Sequence, residues 1–141
     1  AKHGRNEMIR AVMEGVSYSL RDCLEIIKSM GVPVSEVRAS GGGGKSKLWR
    51  QMQADVFNIS ITTINTTEGP AMGAALLAGV GAGVYSSVAE ACETAIKTVG
   101  VQHPIEENVK VYDRYYLVYK DLYHSLKDNY LKIAEIQREL S

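Results

Sequence analysis

The sequence has no excess of charge of either sign. Its 141 residues include 16 Lys and Arg against 16 Asp and Glu, so the formal net charge is zero. Surfaces that bind DNA, RNA or acidic membranes need a clear excess of Lys and Arg. The balance therefore argues against a nucleic-acid partner and against an acidic membrane surface.

Long hydrophobic runs and cysteine are also scarce. The most apolar stretch, residues 71–85, contains four glycines and is shorter than the roughly 20 residues that span a bilayer. Cys23 and Cys92 are too few for a disulfide framework, and no Cys-x-x-Cys or His-x-x-x-His spacing predicts a zinc site. We therefore expect no membrane span, no metal site and a cytoplasmic location.

The beginning of the sequence has neither an initiator methionine nor the apolar core of a signal peptide. Residues 1–10 read AKHGRNEMIR, whereas a signal peptide carries an apolar segment after its basic start. A length of 141 residues suits one domain at most. We expect the sequence to be part of a longer chain.

Helical and strand patterns alternate along the sequence. We expect helices over residues 7–28, 46–57, 71–79, 88–98 and 111–140, and strands over residues 36–40 and 59–64. The helices over 7–28, 46–57 and 111–140 rest on apolar residues that recur every three or four positions. The strand over 59–64 rests on its β-branched residues. A polar connection is expected through residues 103–108.

This order predicts an α/β fold, because strands separated by helices pair in parallel. Two strands make too small a sheet for this much apolar helix surface. We therefore expect further strands of the same sheet to precede residue 1.

The most informative motif is ASGGGGKS, residues 39–46, between a predicted strand and a predicted helix. Consecutive glycines accept positive φ and let a ligand approach the backbone closely, and the next helix begins with free N–H groups and a positive dipole end. This combination predicts an anion site, most often for phosphate. An ordinary flexible turn is the alternative.

A P-loop is a second alternative for the same segment. The P-loop pattern G-x-x-x-x-G-K-[ST] ends as Gly44, Lys45 and Ser46 do, but Ala39 occupies the place of its first glycine. No second acidic strand end suited to Mg²⁺ is visible in the sequence. The P-loop is therefore the weaker hypothesis.

Other polar and aromatic residues have mainly structural interpretations. Asp55 is expected at a helix end or on the surface, and Glu68 at a helix N-terminus, where acids are favoured. Glu14 either packs behind the four glycines of residues 41–44, called the glycine segment below, or forms an ion pair. Trp49 is interpreted as a core aromatic residue rather than a border of a ligand pocket. The tyrosines of residues 112–130 predict a packing face against the parent domain or a homodimer contact.

Two runs of residues resemble a known family. Residues 40–55, SGGGGKSKLWRQMQAD, and residues 68–78, EGPAMGAALLA, are similar to the C-terminal domain of the FGGY carbohydrate kinases. Residues 10–22, RAVMEGVSYSLRD, resemble the helix that precedes the glycine segment in that family. Within the family, the xylulokinases carry the runs most similar to these.

The resemblance implies an actin-like, ribonuclease H-like ATPase fold that ends in a long helix. Residues 1–141 would then be part of the C-terminal nucleotide-binding domain, with ATP and Mg²⁺ as cofactors. Gly41, Gly42 and Gly43 match the family's adenosine motif, with the backbone of Gly42 at the nucleotide phosphates and the side chain of Ser46 beside the adenine. Residues 68–75 match its second connecting motif.

The resemblance also implies what lies outside the sequence. The general-base aspartate and most of the sugar-binding residues belong to a preceding domain, so no catalytic residue is expected in residues 1–141. The implied reaction of the whole protein is phosphorylation of a ketopentose, D-xylulose to D-xylulose 5-phosphate, with ADP as the second product. This segment alone is expected to be inactive. A non-catalytic, actin-like ATP-binding scaffold is the remaining alternative.

Overall fold

The structure is a computed structural model that describes residues 3–66 and 69–140. Helices and strands alternate along these residues as the sequence patterns predict. The elements are α1 (Arg5–Ser29), β1 (Glu36–Ala39), α2 (Gly41–Lys45), α3 (Lys47–Phe57), β2 (Ser60–Ile64), α4 (Gly69–Gly81), α5 (Val88–Ala95), β3 (Thr98–Gln102) and α6 (Glu106–Glu139). The first three predicted helices and both predicted strands are confirmed.

The sheet of the described residues has three strands in the order β1, β2, β3. β1 and β2 pair in parallel, with Val37 opposite Ile61, as expected for strands joined by helices. β3 pairs with the other edge of β2 and runs antiparallel to it. β2 is therefore the central strand, and its Ile61 is fully buried.

The sequence interpretation of residues 88–102 was wrong in part. The helix predicted to reach residue 98 ends at Ala95, and residues 98–102 form the strand β3. Asn65, just after β2, explains why the chain returns along β2 in the antiparallel direction as β3. Its backbone N–H donates to the carbonyl of Lys97 at 2.9 Å, and its side-chain Oδ1 accepts from the N–H of Lys97 at 2.9 Å. This reciprocal pair holds the chain beside β2 and starts the third strand.

α3 forms the centre of the core. Ser46 caps its N-terminus, and Asn58 ends it in the left-handed conformation with φ 51°. Its buried side chains pack with those of α1, β2 and α6. The buried cluster consists of Tyr18, Met52, Ala54, Val56, Phe57, Ile59, Ile61, Tyr112 and Tyr116. These residues come from α1, from α3 and the adjoining β2, and from α6, so the core joins the first half of the chain to the start of α6.

The first half of α6 packs on α1 through tyrosine rings. Tyr116 stacks on Tyr18 with ring centroids 6.0 Å apart, and the Tyr116 hydroxyl donates to Asp22 at 2.5 Å. The Tyr112 hydroxyl donates to Glu14 at 3.0 Å. The packing interpretation of the tyrosine-rich segment is therefore confirmed for these residues. The apolar side chains further along α6 are exposed, among them Leu122, Tyr130, Ile133 and Ile136.

α6 begins at Glu106, five residues before the predicted start at residue 111. Residues 106–108 of the expected polar connection are therefore helical. The reason is a distant side chain, because the backbone N–H of Ile105, the N-cap, donates to Asp55 Oδ1 at 2.8 Å. Across residues 3–66 and 69–140, α6 is the longest helix, and neither it nor any other helix is apolar enough to cross a membrane.

Candidate functional site

The four consecutive glycines lie in the short helix α2. Ser40 leaves β1 in an extended conformation, and Gly41 follows with φ +70°. Residues with a Cβ rarely adopt this left-handed conformation, so glycine is required where the chain turns out of the strand. Residues 41–45 then make one helical turn before Ser46 starts α3.

The glycines have two different environments. A Cβ atom placed on Gly41 or Gly42 would meet nothing within 4 Å. A Cβ on Gly43 would lie 3.0 Å from the Trp49 ring, and one on Gly44 would lie 3.1 Å from the carbonyl carbon of Ala39. The backbone of Gly41 and Gly42 is therefore open to an approaching molecule, whereas Gly43 and Gly44 are packed against the protein.

The start of α4 lies beside the glycine segment. A Cβ on Gly69 would be 3.7 Å from the hydroxyl of Ser40, the residue just before Gly41. Gly73 is one helical turn further along the same face of α4, and a Cβ there would meet nothing within 4 Å. Two glycine-bearing elements thus meet, and both have open backbone near their junction. Glu68, the first residue of the predicted connecting motif, lies outside the described residues.

Ser46 already has a structural role. Its Oγ accepts a hydrogen bond from the backbone N–H of Trp49 at 3.3 Å and so caps α3. A serine hydroxyl has one donor and two acceptor positions, so the cap leaves its donor available. The predicted contact of Ser46 with adenine stays a prediction.

α3 holds the glycine segment from behind. The Trp49 ring packs under Gly43, and its Nε1 donates to the buried hydroxyl of Ser17 at 3.3 Å. Arg50 Nη1 donates to the carbonyl oxygen of Gly44 at 2.5 Å. Trp49 also packs against the buried cluster, which supports its interpretation as a core aromatic residue. The sequence analysis did not identify Arg50.

The prediction that Asp55 lies at a helix end or on the surface is confirmed for the helix end, because Asp55 lies in the last turn of α3, and is wrong for the surface. Asp55 is 2% exposed, and its carboxylate accepts three hydrogen bonds. The donors are Gln51 Nε2 at 2.9 Å, the Ile105 N–H at 2.8 Å and Asn108 Nδ2 at 2.8 Å. Asp55 therefore ties α3 to the start of α6. Two of its partners lie about fifty residues away in sequence, so local spacing gave no signal.

Glu14 forms an ion pair rather than supporting the glycine segment. Its Oε1 accepts from Arg10 Nε at 2.8 Å and from the Tyr112 hydroxyl at 3.0 Å. Both partners belong to the α1–α6 interface. This outcome settles the alternative that the sequence left open for Glu14.

The fold is α/β, and in it a glycine segment follows a parallel strand and lies beside the start of a second helix, α4. Residues 1–82 match the profile of the FGGY family of carbohydrate kinases, C-terminal domain. The chain therefore belongs to the FGGY family.

Individual relatives agree with this assignment. The chain is 40% identical over 126 residues to a xylulose kinase of Staphylococcus epidermidis, covering 89% of this chain and 25% of that protein. It is 33% identical over 144 residues to a gluconokinase of Bacillus licheniformis, covering 99% of this chain and 27% of that protein. The chain thus spans about a quarter of the length of these relatives.

Solved structures share the fold. A ligand-bound xylulose kinase from Lactobacillus acidophilus superposes with a TM-score of 0.84 at 26% identity, covering 93% of this chain and 26% of that one. A gluconate kinase from the same organism gives a TM-score of 0.82 at 27% identity, with coverage of 93% and 26%. The predicted actin-like ATPase fold is confirmed, and the P-loop alternative is therefore wrong.

Proposed function

We propose that this chain is the nucleotide-binding part of an ATP-dependent carbohydrate kinase. The observation that carries the proposal is the open backbone of Gly41 and Gly42 beside the start of α4. With no side chain on either residue, phosphate oxygens can reach backbone N–H groups directly. In this proposal Gly41, Gly42 and Gly43 form the adenosine motif, the backbone of Gly42 contacts the phosphates of ATP, and Ser46 lies beside the adenine.

Mg²⁺ is the expected companion of ATP, and when bound it would neutralise charge on the phosphates. Within residues 3–66 and 69–140, no three His, Cys, Asp or Glu side chains come together as a ready-made metal cage. These residues therefore do not fit a protein-held ion. In the proposal they bind and orient the nucleotide, and the ion's ligands come from phosphate, water and other parts of the protein.

Phosphoryl transfer depends on positioning and on stabilising the charge of the transferred group. A segment that binds only the nucleotide leaves the sugar hydroxyl without a general base. We therefore propose that the preceding domain supplies the catalytic aspartate and most sugar contacts. In this proposal residues 1–141 alone are inactive.

D-xylulose is the proposed substrate and D-xylulose 5-phosphate the product. The support is the similarity to xylulose kinases at 38–40% identity in several bacteria. Gluconokinases and a ribulokinase of Bacillus licheniformis are also similar, at 32–34% identity, so the acceptor is the quantity that the test must vary.

The test is ADP release by the intact parent protein with Mg-ATP and one of four acceptors: D-xylulose, L-ribulose, glycerol or gluconate. Release that depends on D-xylulose supports the whole proposal. Dependence on another acceptor supports the kinase class and overturns the substrate. Slow ATP hydrolysis without dependence on any acceptor overturns the kinase and favours the actin-like scaffold.

A cytoplasmic location and a homodimer stay predictions. The exposed apolar residues of the second half of α6 are the surface on which the predicted homodimer contact depends. Light scattering on the intact protein, combined with size-exclusion chromatography, measures its mass in solution and tests the homodimer directly.

A further inference from the structure

We propose that Arg50 is a positioning residue that sets the affinity for ATP by fixing the backbone of the glycine segment. The proposal rests on the proposed function, because it concerns the same nucleotide-binding segment. Arg50 acts through the carbonyl of Gly44 and does not itself contact the nucleotide.

The argument starts from the glycines themselves. Glycine loses more conformational freedom on folding than any other residue, and it offers no side chain to hold its backbone in place. Four in succession therefore need support from outside the segment. Gly41 and Gly42 face open space, so the support must reach the segment through Gly43 and Gly44.

Two residues of α3 provide that support, and they do so differently. Trp49 makes a van der Waals contact under Gly43. Arg50 makes a directional hydrogen bond, from Nη1 to the carbonyl oxygen of Gly44 at 2.5 Å. Its bond fixes the orientation of the peptide group that ends the glycine run, which a nonpolar contact does not.

Arg50 is fixed in turn by a third element. Its Nε donates to Oε1 of Gln102 at 2.8 Å. Gln102 is the last residue of β3 and lies opposite Ile61, the fully buried residue of the central strand. The half-buried guanidinium thus bridges the glycine segment and the sheet. We call these three residues, Gly44, Arg50 and Gln102, the Arg50 bridge.

The planar guanidinium suits this role because its donors have a fixed relative geometry. Lysine keeps the positive charge but concentrates its donors on one nitrogen, so it does not reproduce both bonds at their present separation. If Arg50 acted only through its charge, lysine would replace it fully. The bridge predicts that lysine restores only a small part of the affinity.

The experiment uses the intact parent protein and measures the ATP dissociation constant by calorimetry, together with KM for ATP and for the sugar. Arg50→Met is expected to weaken ATP binding about tenfold, since both bonds involve a charged donor and a partly buried partner. KM for the sugar should change less than about twofold, because the bridge joins only the glycine segment and β3, and most sugar contacts are proposed for another domain.

The matched control is Arg21→Met. Arg21 is also a half-buried arginine that joins two elements, with Nη2 2.7 Å from Asp113 of α6 and its guanidinium 4.2 Å from the centre of the Tyr116 ring. Its loss should lower the melting temperature and leave ATP affinity unchanged. Equal loss of ATP affinity in both variants would mean general destabilisation and would overturn the proposal.

Gln102→Leu tests the bridge from its other end and serves if Arg50→Met does not fold. It should weaken ATP binding about threefold, and in combination with Arg50→Lys it should add little, because both changes break one bridge. Hydrogen exchange of the amides of residues 41–45 should accelerate in either variant. Unchanged exchange and unchanged ATP affinity would overturn the proposal.

Failure of the two proposals is distinguishable. If the wild-type protein does not bind ATP, the proposed function is wrong and the role of Arg50 is overturned with it. If the wild-type protein binds ATP and the Arg50 and Gln102 variants bind it equally well, only the role of Arg50 is overturned.

Discussion

The α1–α6 interface and the glycine segment are held in opposite ways. At the interface, tyrosine rings supply the buried area, and their hydroxyls bond to Asp22 and Glu14 at the edge. In the glycine segment there are no side chains, and two residues of α3 hold the backbone from one face only. The interface buries its side chains between two helices, whereas the glycine segment leaves the backbone of Gly41 and Gly42 open on its other face. Mutations should therefore separate stability from binding.

The largest expected effect lies in the interface, at Tyr116. Tyr116→Ala removes a ring that stacks on Tyr18 and a hydroxyl that bonds to Asp22, and should lower the free energy of unfolding by about 3–5 kcal/mol. Tyr115→Ala, on the neighbouring exposed position, should change it by less than about 0.5 kcal/mol. Urea denaturation measures both. A similar loss in the two variants would show that the stacked rings are not what stabilises the interface.

Asp55→Ala is expected to be next. It leaves the N–H of Ile105 and the amide of Asn108 without their acceptor, at a cost of about 2–3 kcal/mol in stability. Asp55→Asn keeps one acceptor oxygen and should cost less. Urea denaturation gives the stability, and hydrogen exchange at the start of α6 locates the effect. Unchanged exchange there would contradict the role of Asp55 as the anchor of α6.

Substitutions at Gly41 and Gly42 allow effects on stability and on ATP binding to be compared within the glycine segment. Gly41→Ala forces a Cβ into the left-handed region and should cost about 1–2 kcal/mol, whereas Gly42→Ala should cost less because Gly42 has no positive φ. The Gly42→Ala methyl group nevertheless enters the open space proposed for phosphate. We expect it to weaken ATP binding with little change in melting temperature. If calorimetry finds no loss of affinity for Gly42→Ala, the nucleotide does not approach on this face.

The smallest expected effect is a pH dependence of the interface. Burial raises the pKa of Tyr18, and the charge of Glu14 raises it further. The unfolded chain ionises this tyrosine at about pH 10 while the folded chain keeps it neutral, so stability is present below that pH and falls as pH rises toward the folded pKa. Tyr18→Phe should change stability little at pH 7 and should reduce the fall above pH 10. Melting temperatures of the wild type and the variant at pH 7 and above pH 10 measure this difference. If Tyr18→Phe loses as much stability above pH 10 as the wild type does, groups other than Tyr18 cause the fall.

The sequence predicted the elements that local patterns determine and missed those that distant contacts determine. The helices over residues 7–28 and 46–57 and the strands over 36–40 and 59–64 follow from local apolar spacing and β-branched content, and the structure confirms them. β3 and the start of α6 were missed because Asn65 and Asp55 determine them through distant partners. The alternation of Val99 and Val101 was the only local signal for β3.

The candidate site was also predicted only in part, because the sequence pointed to the glycine segment and not to Arg50. The glycine segment stood out because its sequence is unusual at a strand-to-helix junction, and Gly41 does require a positive φ. Arg50 did not stand out, because an arginine one turn into an amphipathic helix is ordinary. Its partner Gln102 is 52 residues away, and only the folded sheet brings the two together.

The first third of α6 is packed against the core, and most of the rest of the helix is exposed. Its 34 residues span about 51 Å, and its buried tyrosines lie within the first third. Tyr119 still packs against Tyr18, and beyond it about 30 Å of helix extends past the packed part. A rotation of about 10° at the interface would therefore move the far end by about 5 Å, a much larger displacement than that of the packed tyrosines.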